Sequence, residues 1–343
     1  MTYRAGLVGY GLAGEWFHAP LIAATPGLEL ASVVTTSAER ARRARDRYPG
    51  VEVLSSVEQL WEGHDLVVVA TPNRTHTPIA LGALEAGLPA VVDKPLAASV
   101  EAGRRLQEEA KARSLMLAVF HNRRWDGDLL TVRRLISEGA LGEVHRFESR
   151  FERWRPEVRG EAWREREAPE EAGGVLFDLG SHLIDQALVL FGPVENVYAE
   201  VELRRPGARV DDDAFVALTH RSGVRSHLWM SQVAAQRGPR MRVLGSRAAY
   251  VKEGLDVQER ALRAGEVPGA SGWGREPPAA WGRLGVEGDA RPVETEPGDW
   301  PAFYRGVVAA LRDGSPPPVT AADAVAVLRV IEAALRAQRG TPA

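Results

Sequence analysis

The chain of 343 residues contains no cysteine. Disulfides, thiolate metal sites and cysteine nucleophiles are thereby excluded. Lysine is almost as scarce: of 43 basic residues only Lys94, Lys111 and Lys252 are lysines, and the other 40 are arginines. No charge of one sign dominates, since 46 acidic residues against 43 basic ones leave a net charge of −3. That balance argues against nucleic acid or an acidic membrane as the main partner. No apolar run approaches the ~20 residues of a membrane span. Gly6–Ala13 is apolar, but neither a basic leader nor a cleavage site accompanies it, so a cytosolic protein is expected. What is present, 45% hydrophobic and 26% charged residues, suits a globular chain of two domains.

Where arginine serves almost everywhere, each lysine raises a chemical question. Arginine stays charged and forked, whereas lysine is compact and exchanges a proton near neutral pH when buried. Chance survival is the alternative for any one of the three.

The first third alternates regularly. Apolar runs at Tyr3–Gly9, Leu28–Val34, Leu66–Ala70, Ala90–Val92 and Met116–Phe120 read as buried strands. Helical stretches separate them: one reaching Ala24, then Ala38–Arg47, Pro78–Ala86 and Val100–Arg113. Continuous apolar strands between helices predict a parallel sheet covered on both faces, a doubly wound α/β domain over residues 1–120. From residue 121 to 343 the pattern changes. Leu129–Ser137 and about Leu176–Leu190 read as helices, while Val144–Phe151, Val194–Leu203, Phe215–Thr219 and Val224–Met230 alternate like strands with one polar face. This predicts a second α/β domain with a large open, mostly antiparallel sheet, a face often covered by a second subunit. Gly265–Pro297, rich in Gly, Pro and Glu, reads as a long loop. Pro301–Arg312 and Ala321–Gln338 read as closing helices able to pack back on the first domain.

Gly9-Tyr10-Gly11-Leu12-Ala13-Gly14 fits G-x-G-x-x-G directly after the first strand. In that position the glycines allow a tight turn, backbone approach to a pyrophosphate and close helix–strand packing, as in a Rossmann dinucleotide site. Gly9, Gly11, Leu12 and Ala13 are the expected cradle. An NAD site normally ends the second strand in a carboxylate for the ribose hydroxyl. Here Thr35, Thr36 and Ser37 stand there, followed by Arg40, Arg42 and Arg43, and Glu29 lies at the wrong end. Hydroxyls with arginines suit a 2′-phosphate, so NADP is expected ahead of NAD, although a solvated helix face would carry the same arginines. Thr71, Pro72, Asn73 and His76 follow the next strand, at the edge where such folds bind ligands. Helix capping is the other use for Asn73 and Thr75.

Asp93-Lys94-Pro95 emerges at the same edge, where Lys94 could reach the nicotinamide pocket and stabilise a developing oxyanion; a surface lysine is the alternative. The run from Gly173 to Asp185 places Asp178, His182 and Asp185 at i, i+4 and i+7 on one helix face. A histidine between carboxylates can act as acid or base near neutral pH. A structural polar face would look the same. A metal site would need further clustered ligands that are not evident, so no metal is expected. Together these pieces describe hydride transfer: His182 takes the hydroxyl proton, Lys94 stabilises charge and Asp178 orients the pair.

These marks, with Thr71-Pro72-Asn73 and the Gly173-Gly174 pair, resemble the glucose–fructose oxidoreductase/inositol dehydrogenase/MocA family over almost the whole chain. The family usually has Glu-Lys-Pro where this chain has Asp93-Lys94-Pro95. The resemblance implies Lys94, Asp178 and His182 as the catalytic group, and a homodimer or homotetramer through the C-terminal sheet. Phe17-His18-Ala19-Pro20, His121-Asn122-Arg123-Arg124-Trp125-Asp126 and Tyr250-Val251-Lys252-Glu253-Gly254-Leu255-Asp256 are similar to a subgroup of NADP-dependent scyllo-inositol dehydrogenases. By that similarity Asn122, Arg123, Trp125 and Trp154 would line a polyol or sugar pocket, ordinary packing being the other use of the tryptophans. Two further functions fit the superfamily: an NAD-dependent glycoside hydrolase working by oxidation and elimination, and a non-catalytic nucleotide sensor.

Overall fold

The computed structural model describes residues 1–158 and 171–339. The chain divides into two compact units. The first comprises residues 1–122, 258–273 and 299–325, and the second comprises residues 123–257, 274–298 and 326–343. No helix among the described residues is long and apolar enough to cross a membrane.

The first unit is built on six parallel strands in the order β3-β2-β1-β4-β5-β6. They are β1 (Tyr3–Val8), β2 (Leu28–Val34), β3 (Glu52–Leu54), β4 (Leu66–Val69), β5 (Ala90–Asp93) and β6 (Leu117–Phe120). Every residue of β4, β5 and β6 is buried, which is why these strands read as unbroken apolar runs. The short edge strand β3 carries no such run, and the sequence pattern gave no sign of it. Register aligns the carboxyl ends: Val8 pairs with both Val34 and Val69, Val69 with Val92, and Asp93 with Phe120. The loops after β1, β2, β4 and β5 therefore leave from one row, with the order reversing between β1 and β4. That crevice is where doubly wound sheets bind ligands. The returning helix Pro301–Asp313 packs on the sheet through Phe303, whose ring meets Phe120 edge-on at 4.9 Å.

The second unit holds eight strands in the order β14-β13-β12-β11-β7-β10-β9-β8. Four answer to expected strands: β7 (Val144–Glu152), β8 (Val194–Glu202), β9 (Asp213–His220) and β10 (Arg225–Ser231). All neighbours are antiparallel except β7 and β10, which run parallel, so the sheet is mixed. Burial alternates strictly along β9, as expected of a strand with one packed face. The packed face meets the helix Ser181–Phe191, where Phe191 lies 5.5 Å from Phe147.

Two readings need correction. The stretch read as a long loop contains the hairpin β13 (Gly282–Val286) and β14 (Asp289–Val293), and β11 (Met241–Gly245) and β12 (Ala249–Lys252) precede it. Proline and glycine disguised the hairpin. Pro292 is tolerated because β14 is the edge of the sheet, and Gly288 turns the chain at φ 83°. The helix read as Leu176–Leu190 begins as a π-helical turn, Leu176–Gly180, before the α-helix Ser181–Phe191. The wider turn breaks the 3.6-residue spacing assumed for Asp178, His182 and Asp185.

Candidate functional site

The turn after β1 has the features of a dinucleotide cradle. Gly9 has φ 95°, and a Cβ there would lie 2.6 Å from the Ala70 carbonyl oxygen. A Cβ on Gly14 would lie 2.0 Å from the Gly9 oxygen, so only glycine lets the helix start this close to the strand. A Cβ on Gly11 would meet nothing within 4 Å. Its openness keeps backbone free to face a phosphate at the start of a helical segment. Ala13 leads into the π-helical turn Gly14–His18, and the Leu12 side chain is exposed. These residues fit a bound dinucleotide.

At the end of β2 the structure separates the predicted residues by role. The Thr35 hydroxyl accepts the Ser37 N–H, and Ser37 caps the helix Ala38–Arg47 by accepting from the Arg40 N–H. Arg43 is not an open cation. Glu15 holds its guanidinium through two bonds at 2.9 and 3.0 Å, and Glu39 contacts it as well. Arg40 and Arg42 are exposed and have no ion-pair partner among the described residues. Thr36 is also exposed, beside them in sequence.

After β4, Thr71 accepts a hydrogen bond from the Thr75 hydroxyl at 2.7 Å, Pro72 leads into the turn Asn73–Thr75, and Asn73 is buried. His76 was expected to touch cofactor, yet its ring is wholly buried. Its Nδ1 lies 2.8 Å from the Pro95 carbonyl and its Nε2 3.0 Å from the Thr71 carbonyl, so it ties the loop after β4 to the loop after β5. Burial lowers its affinity for a proton, and a neutral ring, with one N–H, donates to only one of these two carbonyls and packs against the other. Asp93 is buried at the end of β5 and accepts the Lys94 backbone N–H at 2.9 Å. The Lys94–Pro95 peptide is cis, and the Lys94 side chain is partly exposed.

Lys94 belongs to the first unit, and Asp178 and His182 to the second. Asp178 lies in the π-helical turn, half-buried, and His182 follows in the first turn of the α-helix, 7% exposed. Gly174 lets this segment start. It has φ 92°, and a Cβ there would overlap the Asp211 carboxylate at 1.9 Å. Asp211 Oδ2 accepts the Leu176 N–H at 2.7 Å and its backbone oxygen accepts from Val175. Asp185, the third group of the expected polar face, is taken up otherwise: Arg124 grips it with two bonds at 2.9 and 2.6 Å. It is a brace between the helix and the turn Asn122–Trp125.

Among the residues expected around substrate, Arg123 lies over the Phe151 ring at 4.9 Å, and Phe151 meets His182 edge-on at 6.3 Å. The structure thus brings Arg123 and His182 to one aromatic ring. Asn122 is buried, Trp125 is partly exposed, and Trp154 is 57% exposed with a backbone bridge to Val233. Behind Arg123, the buried Arg240 meets Asp128 at 3.2 Å and donates to Gln186 at 3.0 Å. Burial holds the neighbouring Asp126 well above the carboxylate range. Arg123 offsets this in part, and Asp256 and Asp128 reinforce it.

Sequence reasoning missed the Glu15–Arg43 clasp, the Asp211 cap and Arg240. It noted His18 without giving it a role. Lys252, singled out by its rarity, is buried and paired with Glu276 at 3.1 Å, a structural use.

Comparison with known proteins agrees with this architecture. Residues 3–121 match the oxidoreductase family with an NAD-binding Rossmann fold, and residues 129–251 match the GFO/IDH/MocA C-terminal domain. The chain is 44% identical over 338 residues to the uncharacterized oxidoreductase YdgJ of Escherichia coli (strain K12), covering 96% of this chain and 94% of that one. It is 36% identical over 344 residues to the scyllo-inositol 2-dehydrogenase (NADP(+)) IolW of Bacillus subtilis (strain 168), covering 98% and 94%. Among solved structures, the oxidoreductase yvaA from Bacillus subtilis superimposes with a TM-score of 0.93 at 34% identity, covering 98% of this chain and 96% of that one. The chain belongs to the Gfo/Idh/MocA family of oxidoreductases, built on an NAD-binding Rossmann fold.

Proposed function

We propose that the protein is an NADP-preferring dehydrogenase that transfers a hydride between coenzyme and a hydroxyl carbon of a cyclic polyol or sugar. The observation that carries the coenzyme reading is the end of β2. Thr35, Thr36 and Ser37 stand where a carboxylate would bind a ribose hydroxyl, with Arg40 exposed and unengaged by any acid among the described residues. A 2′-phosphate finds hydroxyl and guanidinium donors there. The named activity of the 36% identical relative supports a polyol substrate.

In this reading Gly9, Gly11, Leu12 and Ala13 hold the pyrophosphate, and Thr71, Pro72, Asn73 and Asp93 shape the edge beside it. When bound, the coenzyme accepts or returns hydride at its nicotinamide ring. The chain's own residues handle the proton and the charge. His182 takes the hydroxyl proton at one ring nitrogen, Asp178 holds it in place, and the Lys94 ammonium donates a hydrogen bond to the substrate oxygen as it becomes a carbonyl. Arg123, Trp125, Trp154 and Asn122 serve substrate recognition. No step calls for a metal.

The reading includes self-association. The partly open face of the second sheet carries Tyr198, Phe215, His227 and Trp229 in mutual ring contact, with the Arg150 guanidinium 3.9 Å from the Trp229 centroid. Arg146 and Arg242 border it, both drawn onto the buried Glu148 carboxylate, so the face offers aromatic rings and arginines to a second copy of itself. The function is tested by a screen of inositols and aldoses with NADP and NAD, read at 340 nm. Steady NADPH formation with an inositol or aldose is expected. A clear NAD preference would overturn the coenzyme reading. Glycoside cleavage without net NADPH, or coenzyme binding with no turnover across the panel, would overturn the reaction.

A further inference from the structure

A buried line of three side chains leads to Lys94 within the first unit. His18 ends the π-helical turn Gly14–His18, Tyr304 lies in the first turn of the helix Pro301–Asp313, and Asp93 ends β5 immediately before Lys94. His18 and Tyr304 are fully buried and Asp93 nearly so. The Tyr304 hydroxyl is 2.7 Å from His18 Nδ1, and Asp93 Oδ1 accepts the Lys94 backbone N–H at 2.9 Å; between them His18 Nε2 approaches the same Oδ1 at 3.7 Å, an electrostatic contact longer than a hydrogen bond. Phe120 lies against the imidazole at 4.2 Å and against Tyr304 at 6.0 Å, so the ring is clamped.

Burial and the Asp93 charge keep the Tyr304 hydroxyl protonated far above neutral pH. A protonated hydroxyl can donate to Nδ1, the arrangement that puts the imidazole proton on Nε2, facing Asp93. Burial alone would push the Asp93 carboxyl upward. The His18 contact, with the Lys94 charge nearby, more than offsets it, and the group stays below the ordinary carboxylate range. A charged carboxylate is the stronger acceptor for the Lys94 N–H, and that bond fixes the backbone from which the lysine side chain departs.

We propose that Tyr304, His18 and Asp93 form a positioning relay that sets the tautomer of His18, the orientation of Asp93 and thereby the direction in which Lys94 leaves β5. The relay matters to turnover only on the reading that Lys94 is catalytic. Small misplacement of such a group has large kinetic effects.

The scarcity of lysine supplies a readout independent of turnover. Reductive methylation with 13C-formaldehyde labels Lys94, Lys111 and the N-terminal amine, whereas Lys252 is buried against Glu276. Loss of one signal in Lys94→Arg assigns Lys94. Spectra of the full-length protein are compared with those of Tyr304→Phe, His18→Gln, Asp93→Asn and the double variant Tyr304→Phe/Asp93→Asn. Tyr304→Phe removes one oxygen and leaves the ring packing in place, so it remains informative if His18→Gln fails to fold. The expected result is a moved Lys94 signal in each single variant, with the Lys111 and N-terminal signals unchanged. The double variant should match Asp93→Asn alone. With substrate, kcat should fall about tenfold in Tyr304→Phe while the coenzyme KM changes less than twofold. An unmoved Lys94 signal in Tyr304→Phe, or shifts that add in the double variant, would overturn the relay. Because the spectra need no substrate, an inactive wild type would refute the dehydrogenase reading and leave the relay to be decided by the spectra.

Discussion

Asp211→Asn should make the protein more stable at alkaline pH and leave it unchanged in acid. Asp211 accepts the Leu176 N–H at the start of the segment that carries Asp178 and His182. Burial pushes its carboxyl from the ordinary 3.8 up to about 6. The bond from Leu176 holds it back and the adjacent Asp212 adds to the rise. Between those two values the folded chain keeps a proton that the unfolded chain releases. Stability from this group is therefore fully present below pH 3.8 and is lost as pH rises through about 6. Above that, the preference of the folded state for the neutral acid weighs about 3 kcal/mol against the fold, at 1.36 kcal/mol per pH unit. Asparagine cannot ionise, and its side-chain oxygen still accepts the Leu176 N–H. The variant should melt with the wild type near pH 4 and up to about 6 °C above it at pH 8, taking roughly 2 °C per kcal/mol for a chain of this size. Melting curves followed by circular dichroism between pH 4 and 8 measure this. A difference that does not vary with pH, or a wild type more stable at pH 8, would refute the reasoning.

Two glycines of one loop should part company. Gly14→Ala drives a Cβ into the Gly9 oxygen and should destabilise the protein, whereas Gly11→Ala should leave the melting temperature unchanged and weaken NADPH in a fluorescence titration. Removing either member of the nearly buried Arg124–Asp185 pair should destabilise the fold by up to about 3–5 kcal/mol in urea unfolding, the range for breaking a buried ion pair. Lys94→Ala and His182→Ala should each lower kcat by about two to four decades without loss of fold, and near-normal turnover in either would remove that residue from the mechanism.

Much of the first unit was legible because β4, β5 and β6 are buried on both faces and print as unbroken apolar runs. The glycine loop was legible too, since its constraints act within six residues. The hairpin β13–β14 was not: an exposed edge imposes no apolar pattern, and its Gly285, Gly288 and Pro292 look like loop residues. Within the candidate site, the residues misread are those whose partners lie far along the chain. Arg43 looked free because Glu15 stands 28 residues away, and Asp185 looked available because Arg124 is 61 residues away. His18 meets Tyr304 across 286 residues. Helical spacing also failed at Asp178, because a π-helical turn has no period that a 3.6-residue template detects.

The central claim is a direct hydride transfer, and deuterium tests it most directly. Inositol or aldose deuterated at the reacting carbinol carbon is incubated with NADP and the enzyme, and the reduced coenzyme is weighed by mass spectrometry. The account predicts one deuterium in NADPH with the wild type and none above background with His182→Ala over the same time. Reduced coenzyme without deuterium, or substrate converted with no deuterated coenzyme at all, would contradict it.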